Sequence, residues 1–292
     1  MTRRPRTSRQ RQTSPRRRPS AHARRPGQPL RRRIRRALPA PGRIAAGLLA
    51  AVLAGGLLAL INGPWLRVAN VAWAGERYTP SSQLQRALAA LDGDALLMVD
   101  GTGLARDLEQ LPAVSTARVE AVLPDTVRVT IVEKVATFVW QTSAVRLLGV
   151  ADGTLIGQLA LGAALPPDLA ALPLVDDRRV ESRNLIVGDR IDPATLTAAL
   201  RLATVKAATL GSAAVGLDLR LTDDDGFLLV SAVQGWQADF GFYPEGESGQ
   251  PGSFEERVES QVAAVRTLFS YEGEAAVGWV DVRDPRRVYW RP

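Results

Sequence analysis

The chain contains no cysteine, and its one histidine, His22, stands in the N-terminal tail. With no disulfide to staple the fold, stability has to come from a packed core. Without cysteine, and with no histidine beyond the tail, the usual zinc ligand sets and the Ser-His and Cys-His nucleophile pairs are unavailable. No glycine-rich loop follows a strand where it would cradle a phosphate. Asp223-Asp224-Asp225-Gly226 is acidic enough to attract calcium but lacks the alternating oxygen spacing of a calcium loop. Asp-Gly between two apolar alternations reads instead as a hairpin turn. Nothing in the chain resembles an active site, so the expectation is a protein that is not an enzyme and needs no cofactor.

Charge is just as unevenly spread. Residues 1–43 hold sixteen arginines and no acid, and residues 44–61 hold no charge at all. The remainder therefore carries a net −9, from +7 overall minus +16. An apolar run of eighteen residues at ~1.5 Å each spans about 27 Å, close to the ~30 Å hydrocarbon core of a bilayer. Arginines on one flank alone hold that flank in the cytoplasm. The expected topology is a single-pass anchor over 44–64, with a disordered arginine-rich cytoplasmic tail (1–43) and everything beyond on the other side of the membrane. Ala72-Trp73-Ala74 resembles a signal-peptide cleavage site, but it lies too far past the apolar run, and the basic region ahead of that run is too long. Pro64-Trp65 reads as the outer end of the helix, with Trp65 at headgroup level.

Within the apolar run, Gly47, Ala51, Gly55 and Ala59 stand four apart and form a smooth stripe where another helix can approach closely. The tail has no aromatic residue to stack on bases, and its Pro, Ser and Arg content cannot bury a core. Contact with anionic lipid headgroups is therefore expected for it, and nucleic acid is not.

Beyond the membrane, Val68–Ala74 reads as a strand. A helix follows with Thr79 as its cap, Pro80 at its first position and Leu84, Leu88 and Leu91 on one face. A second helix is expected from Gly103 to Gln110, with Leu104, Leu108 and Leu111 inward and Pro112 as its stop. Two strands come next, with Ala117, Val119 and Ala121 on one face and then Val127, Val129 and Ile131, joined at Leu123-Pro124-Asp125. Strand-helix-helix-strand-strand in about 70 residues describes a compact α+β unit with two helices on a three-stranded sheet.

The rest is β-rich. A hairpin turns at Ala151-Asp152-Gly153, and Asp192-Pro193 opens a helix with Leu196, Leu200, Ala203 and Ala207 inward. Val215, Leu217, Leu219 and Leu221 alternate as a strand does. Phe227–Val233 and Trp236–Phe242 complete a meander. Ser253-Phe254-Glu255-Glu256 forms a capping box for a helix with Val258, Val262, Val265 and Phe269 on one face. The chain then runs through Val277–Arg283, a turn at Asp284-Pro285-Arg286, and Arg287–Trp290.

Several of these segments carry a family resemblance. Val71-Ala72-Trp73-Ala74-Gly75, Leu96-Leu97-Met98-Val99-Asp100, the run from Leu111-Pro112-Ala113-Val114 to Arg118-Val119, and Leu123-Pro124-Asp125-Thr126-Val127-Arg128-Val129 with Glu133-Lys134 resemble the POTRA domain of the bacterial cell-division family FtsQ, also called DivIB. Val280-Asp281-Val282-Arg283-Asp284-Pro285-Arg286-Arg287-Val288 is similar to that family's ending. Ala113, Leu123 and Val135-Ala136 depart from its pattern, where an aromatic, a tryptophan and a proline are usual. The resemblance implies an anchor, a POTRA domain (66–135) and an extracytoplasmic β domain (136–292). It also implies a non-catalytic scaffold at the division septum that binds FtsB- and FtsL-type proteins and so regulates septal peptidoglycan synthesis.

A terminal strand at a sheet edge would let a partner segment add as a further strand. With Val280 and Val282 turned to the core, Trp279, Asp281 and Arg283 are expected to face outward, joining Arg287, Tyr289 and Trp290 as the partner surface. Gly278 leaves room beside them. An anchored POTRA protein that binds secreted or unfolded chains by strand addition is the alternative. It usually carries repeated units before a membrane barrel, and neither appears here. An anchored cell-wall enzyme would need an acid, base or metal constellation, and none stands out.

Overall fold

The computed structural model describes residues 41–243 and 254–292. The tail up to Ala40, with His22, and the Ser253 cap lie outside the described residues. Helix α1 spans Pro41–Asn62. Its large apolar side chains from Ile44 to Leu58 are all exposed, and Gly47, Ala51, Gly55 and Ala59 are exposed with them. Among the described residues no helix is long and apolar enough to cross a membrane. The Ile44–Ile61 run extends past Ala59, the last described side chain of α1.

The next elements are β1 (Asn70–Ala74), α2 (Ser81–Leu88), α3 (Gly101–Glu109), β2 (Val114–Val122) and β3 (Thr126–Glu133). They form a three-stranded sheet in the order β1-β3-β2, with β1 parallel to β3 and β2 antiparallel to it. Leu84, Leu88, Leu96 and Leu108 pack on Val127, Val129 and Ile131 to make its core. Leu84 and Leu108 are fully buried, so trimming either to alanine costs about 2–5 kcal/mol.

Two local readings change. The N-cap of α2 is Pro80, not Thr79, and it makes no side-chain capping bond. Thr79 is buried with its hydroxyl unpartnered. Its backbone N–H, with those of Arg77 and Tyr78, donates instead to the Glu133 carboxylate at 2.7–2.9 Å. Helix α3 starts at Gly101 rather than Gly103. Asp100 accepts from the N–H groups of Thr102 and Gly103, at 3.1 and 2.9 Å, and caps it.

A nine-stranded mixed sheet follows. Its strands are β4 (Phe138–Thr142), β5 (Arg146–Gly149), β6 (Leu155–Leu159), β7 (Leu174–Asp177), β8 (Asp218–Thr222), β9 (Gly226–Ser231), β10 (Trp236–Gly241), β11 (Trp279–Asp281) and β12 (Tyr289–Arg291). Their spatial order is β12-β11-β10-β9-β8-β7-β4-β5-β6. Helix α4 (Pro193–Ala203) lies between β7 and β8, and α5 (Phe254–Glu272) between β10 and β11. Both pairs run parallel, as strands joined through a crossover helix do.

The expected hairpin at 151–153 joins β5 to β6, and the Asp223–Gly226 turn joins β8 to β9. The strand expected from Val215 begins only at Asp218, because Val215 is wholly exposed. On α4 the buried residues are Leu196, Ala198, Ala199 and Leu202, while Leu200 and Ala203 are half-buried and Ala207 lies beyond the helix. Trp140, Trp236, Phe138 and Phe240 are the largest side chains of the main core. A second apolar cluster contains Ala113 and Tyr78 from the first unit together with Val139, Leu148 and Ile156 from the large sheet. Ala113 is fully covered there.

Candidate partner-binding edge

The large sheet ends at β12. Strand β11 lies between β10, to which it is parallel, and β12, to which it is antiparallel. The expected docking strand is therefore interior, and the edge belongs to the strand after it. Glycine at 278 is required where the two strands meet, since a Cβ there would stand 2.7 Å from the backbone carbon of Pro292.

Val280 and Val282 are fully buried, as expected. Asp281 and Trp279 do not face solvent freely, which corrects the outward placement. Asp281 is buried and accepts from the backbone N–H and guanidinium of Arg283 at 2.5–3.0 Å. Burial pushes the Asp281 carboxyl up, but the Arg283 hydrogen bonds outweigh it and hold the group below the ordinary carboxylate value. Trp279 is half-buried, and its indole N–H donates to the Asp239 carboxylate at 2.7 Å. The Arg291 guanidinium lies 4.8 Å from the centre of the Trp279 ring. Asp239 is buried on the neighbouring β10. Desolvation raises its pKa, only partly opposed by the Trp279 bond, and Asp225 and Asp281 nearby raise it further.

Arg283 is exposed but held against Asp281, while Arg287, Tyr289 and Trp290 are exposed, the last two 60% and 38%. In the β11–β12 register Trp290 stands opposite buried Val280, and Tyr289 opposite Asp281. Cross-strand partners share a face, so Trp290 continues the apolar, helix-covered side of the sheet and Tyr289 continues its polar side. Each face of the edge thus ends in an aromatic ring.

Gln261, which the sequence reading passed over, fixes this corner. It is fully buried on α5, and its amide donates at 2.9 Å to the carbonyls of both Phe240 and Val282. Its side-chain oxygen accepts from Tyr243 at 2.5 Å. A glutamine three residues after Val258, on the apolar face of α5, was the available signal. Asp239 offered none, since its burial depends on strands that pair far along the chain.

The opposite edge is covered at the start of β6. Gly188 N–H donates to Leu155 O at 2.8 Å, and Leu155 N–H donates to Asp189 O at 2.9 Å. An isolated bridge from Thr154 to Arg190 extends that cover. Sheets are commonly protected by covering an edge with a loop, and an uncovered edge offers unpaired N–H and C=O groups. Among the described residues no group of three or more His, Cys, Asp and Glu is arranged to hold a metal ion.

A strand-helix-helix-strand-strand unit joined to a β domain has the order of a POTRA-bearing protein, and among the described residues nothing pairs beyond β12. Residues 66–134 match the family described as POTRA domain, FtsQ-type. The chain is also similar to a protein named Cell division protein FtsQ from Chloroflexus aurantiacus, with 31% identity over 184 residues, or 62% of this chain. The match spans 64% of that relative's length, slightly less than two thirds. The first outer unit thus matches an FtsQ-type POTRA domain, and the chain is similar to a cell-division protein of that name.

Proposed function

We propose that this protein is a non-catalytic scaffold of the bacterial division machinery, anchored in the plasma membrane with its N-terminus cytoplasmic and its β domain outside. On this reading it sits at the septum and docks FtsB- and FtsL-type proteins, linking early division components to septal peptidoglycan synthesis. The observation that carries the docking role is the contrast between the two edges of the nine-stranded sheet. The β6 edge is hydrogen-bonded to a loop at Leu155. The β12 edge, among the described residues, has no strand or loop pairing beyond it and presents Tyr289 and Trp290. An added partner strand would gain backbone hydrogen bonds along β12, with alternate side chains meeting the two rings.

The anchor is supported by the uncharged run from Ile44 to Ile61 and by the exposed apolar side chains of α1. A helix apolar all round suits lipid rather than water. The Gly47, Ala51, Gly55 and Ala59 stripe suits contact with a second helix in that setting, and the arginine-rich tail suits anionic headgroups.

A fluorescent fusion to the N-terminus, followed through division, tests the reading for the full chain and for a chain ending at Val288. A mid-cell band for both, with downstream partners lost from the band only in the shortened chain, is the expected result. Uniform envelope signal through constriction would leave an anchored POTRA protein that captures secreted or unfolded chains.

A further inference from the structure

Three exposed apolar residues of the POTRA unit share one pole. Of its large hydrophobic side chains from Asn70 to Glu133, Leu97, Met98, Leu123 and Val132 are the exposed ones, at 53%, 75%, 65% and 57%. The first three belong to the end of the sheet where the chain arrives from α1, and Val132 lies near the end of β3, toward the other pole.

Hydrogen bonds fix that placement. Val68 N–H donates to Asp94 O at 2.8 Å, Gly93 N–H donates to Val68 O at 3.0 Å, and Arg67 bridges to Ala95. The Arg67 guanidinium also donates to Gly93 O at 2.8 Å. This ties the loop that carries Leu97 and Met98 to the segment leaving α1. On the other side, the N–H groups of Ala69 and Asn70 donate to Asp125 O at 2.9 and 3.2 Å, which ties in the turn carrying Leu123. Trp65, three residues past the end of α1, is 78% exposed.

We infer that Trp65, Leu97, Met98 and Leu123 form a lipid-contacting foot, by which the POTRA domain rests its membrane-proximal pole on the outer leaflet. The inference rests on the anchored reading above. It commits to lipid because the foot follows the uncharged α1 run directly in the chain, and because tryptophan and long aliphatic side chains suit the headgroup boundary. Around the foot, exposed Asp92 and Asp94 and half-buried Asp125 outnumber Arg67. Contact therefore comes through the apolar tips and favours zwitterionic over anionic lipid. Such a foot would fix the tilt of the outer domains and hold β12 at a set height above the bilayer.

The absence of native cysteine gives a clean test. Single Leu97→Cys, Met98→Cys, Leu123→Cys, Val132→Cys and Leu53→Cys forms of the full chain carry a nitroxide in phosphatidylcholine vesicles, and collision with membrane-soluble oxygen is compared with collision with a water-soluble nickel chelate. Positions 97, 98 and 123 should favour oxygen several-fold over position 132, and the preference should shrink as phosphatidylglycerol is added. Circular dichroism on each form confirms folding. Water-like values at 97, 98 and 123 with a lipid-like position 53 overturn the foot and leave the anchor standing. A water-like position 53 removes both. Protection of the foot from both reagents overturns lipid contact in favour of a protein neighbour.

Discussion

The two edges of the nine-stranded sheet contain similar short strands but differ in whether a described segment bonds to their backbones. At β6 the segment around Gly188–Arg190 returns to bond Leu155 on both its N–H and its carbonyl. At β12 the chain instead places an aromatic ring on each face of an edge that no described segment covers. Uncovered edges invite aggregation unless something pairs with them, and this difference is what the proposed docking at β12 rests on.

The largest expected effect breaks that contrast outright. Deleting Tyr289–Pro292 removes the edge strand, and binding of an FtsB-type partner to the purified outer region, read by calorimetry, should fall by at least about 100-fold, since backbone pairing supplies the affinity in strand addition. Unchanged binding would place docking elsewhere.

Substituting one ring at a time sharpens the comparison. Trp290→Ala and Tyr289→Ala should each weaken the partner by about 1–3 kcal/mol, while the melting temperature stays nearly constant because both rings are exposed.

At the β6 edge the effect should fall on stability instead. Gly188 has φ +103°, a conformation that strains any side chain, so Gly188→Val should cost about 1–3 kcal/mol of unfolding free energy. Partner affinity should not change, and a parallel loss of binding would contradict the separation of the two edges.

The smallest effects are electrostatic and opposite in sign. The Asp281 carboxyl has a folded pKa below its unfolded value. Its stabilisation is complete above the unfolded value of about 3.9 and is lost as pH falls through the folded one, where protonation breaks the Arg283 pair. Asp281→Asn should flatten the acid limb of the stability curve. Asp239 has a raised folded pKa, so the folded state binds its proton more tightly and gains stability as pH falls through that value. Asp239→Asn can still accept from Trp279 while avoiding a buried charge, and should raise the melting temperature slightly at neutral pH.

Much of this fold was legible along the chain. Leu84 and Leu88, the alternation Val127-Val129-Ile131, and the Asp-Gly turns at 152–153 and 225–226 all report local periodicity or local backbone demand, and each lies where that pattern requires. The errors came where a local signal competed with a distant partner. Thr79 has a cap-forming side chain, yet its N–H is claimed by Glu133, 54 residues away. Strand β7 was hidden in the Pro- and Ala-rich sequence after Leu159, because its pairing with β4 and β8 defines it more than its composition does. Asp281 alternates like an exposed residue, but Arg283 folds back over it and removes it from water.

The sequence by itself determined the charge segregation, the uncharged run, the absence of a Ser-His or Cys-His pair or a zinc set, and the strand-helix-helix-strand-strand order of the first domain. Those properties depend on composition and on periods of two and 3.6 residues, which need no knowledge of what lies across the fold. Only the tertiary structure decided that β11 is interior and that, among the described residues, β12 is the edge, that a loop bonds to the start of β6 and none to β12, and that Leu97, Met98 and Leu123 share a pole. Each of these depends on which backbone groups remain unpaired once segments far apart in sequence have met, and no local pattern encodes that remainder.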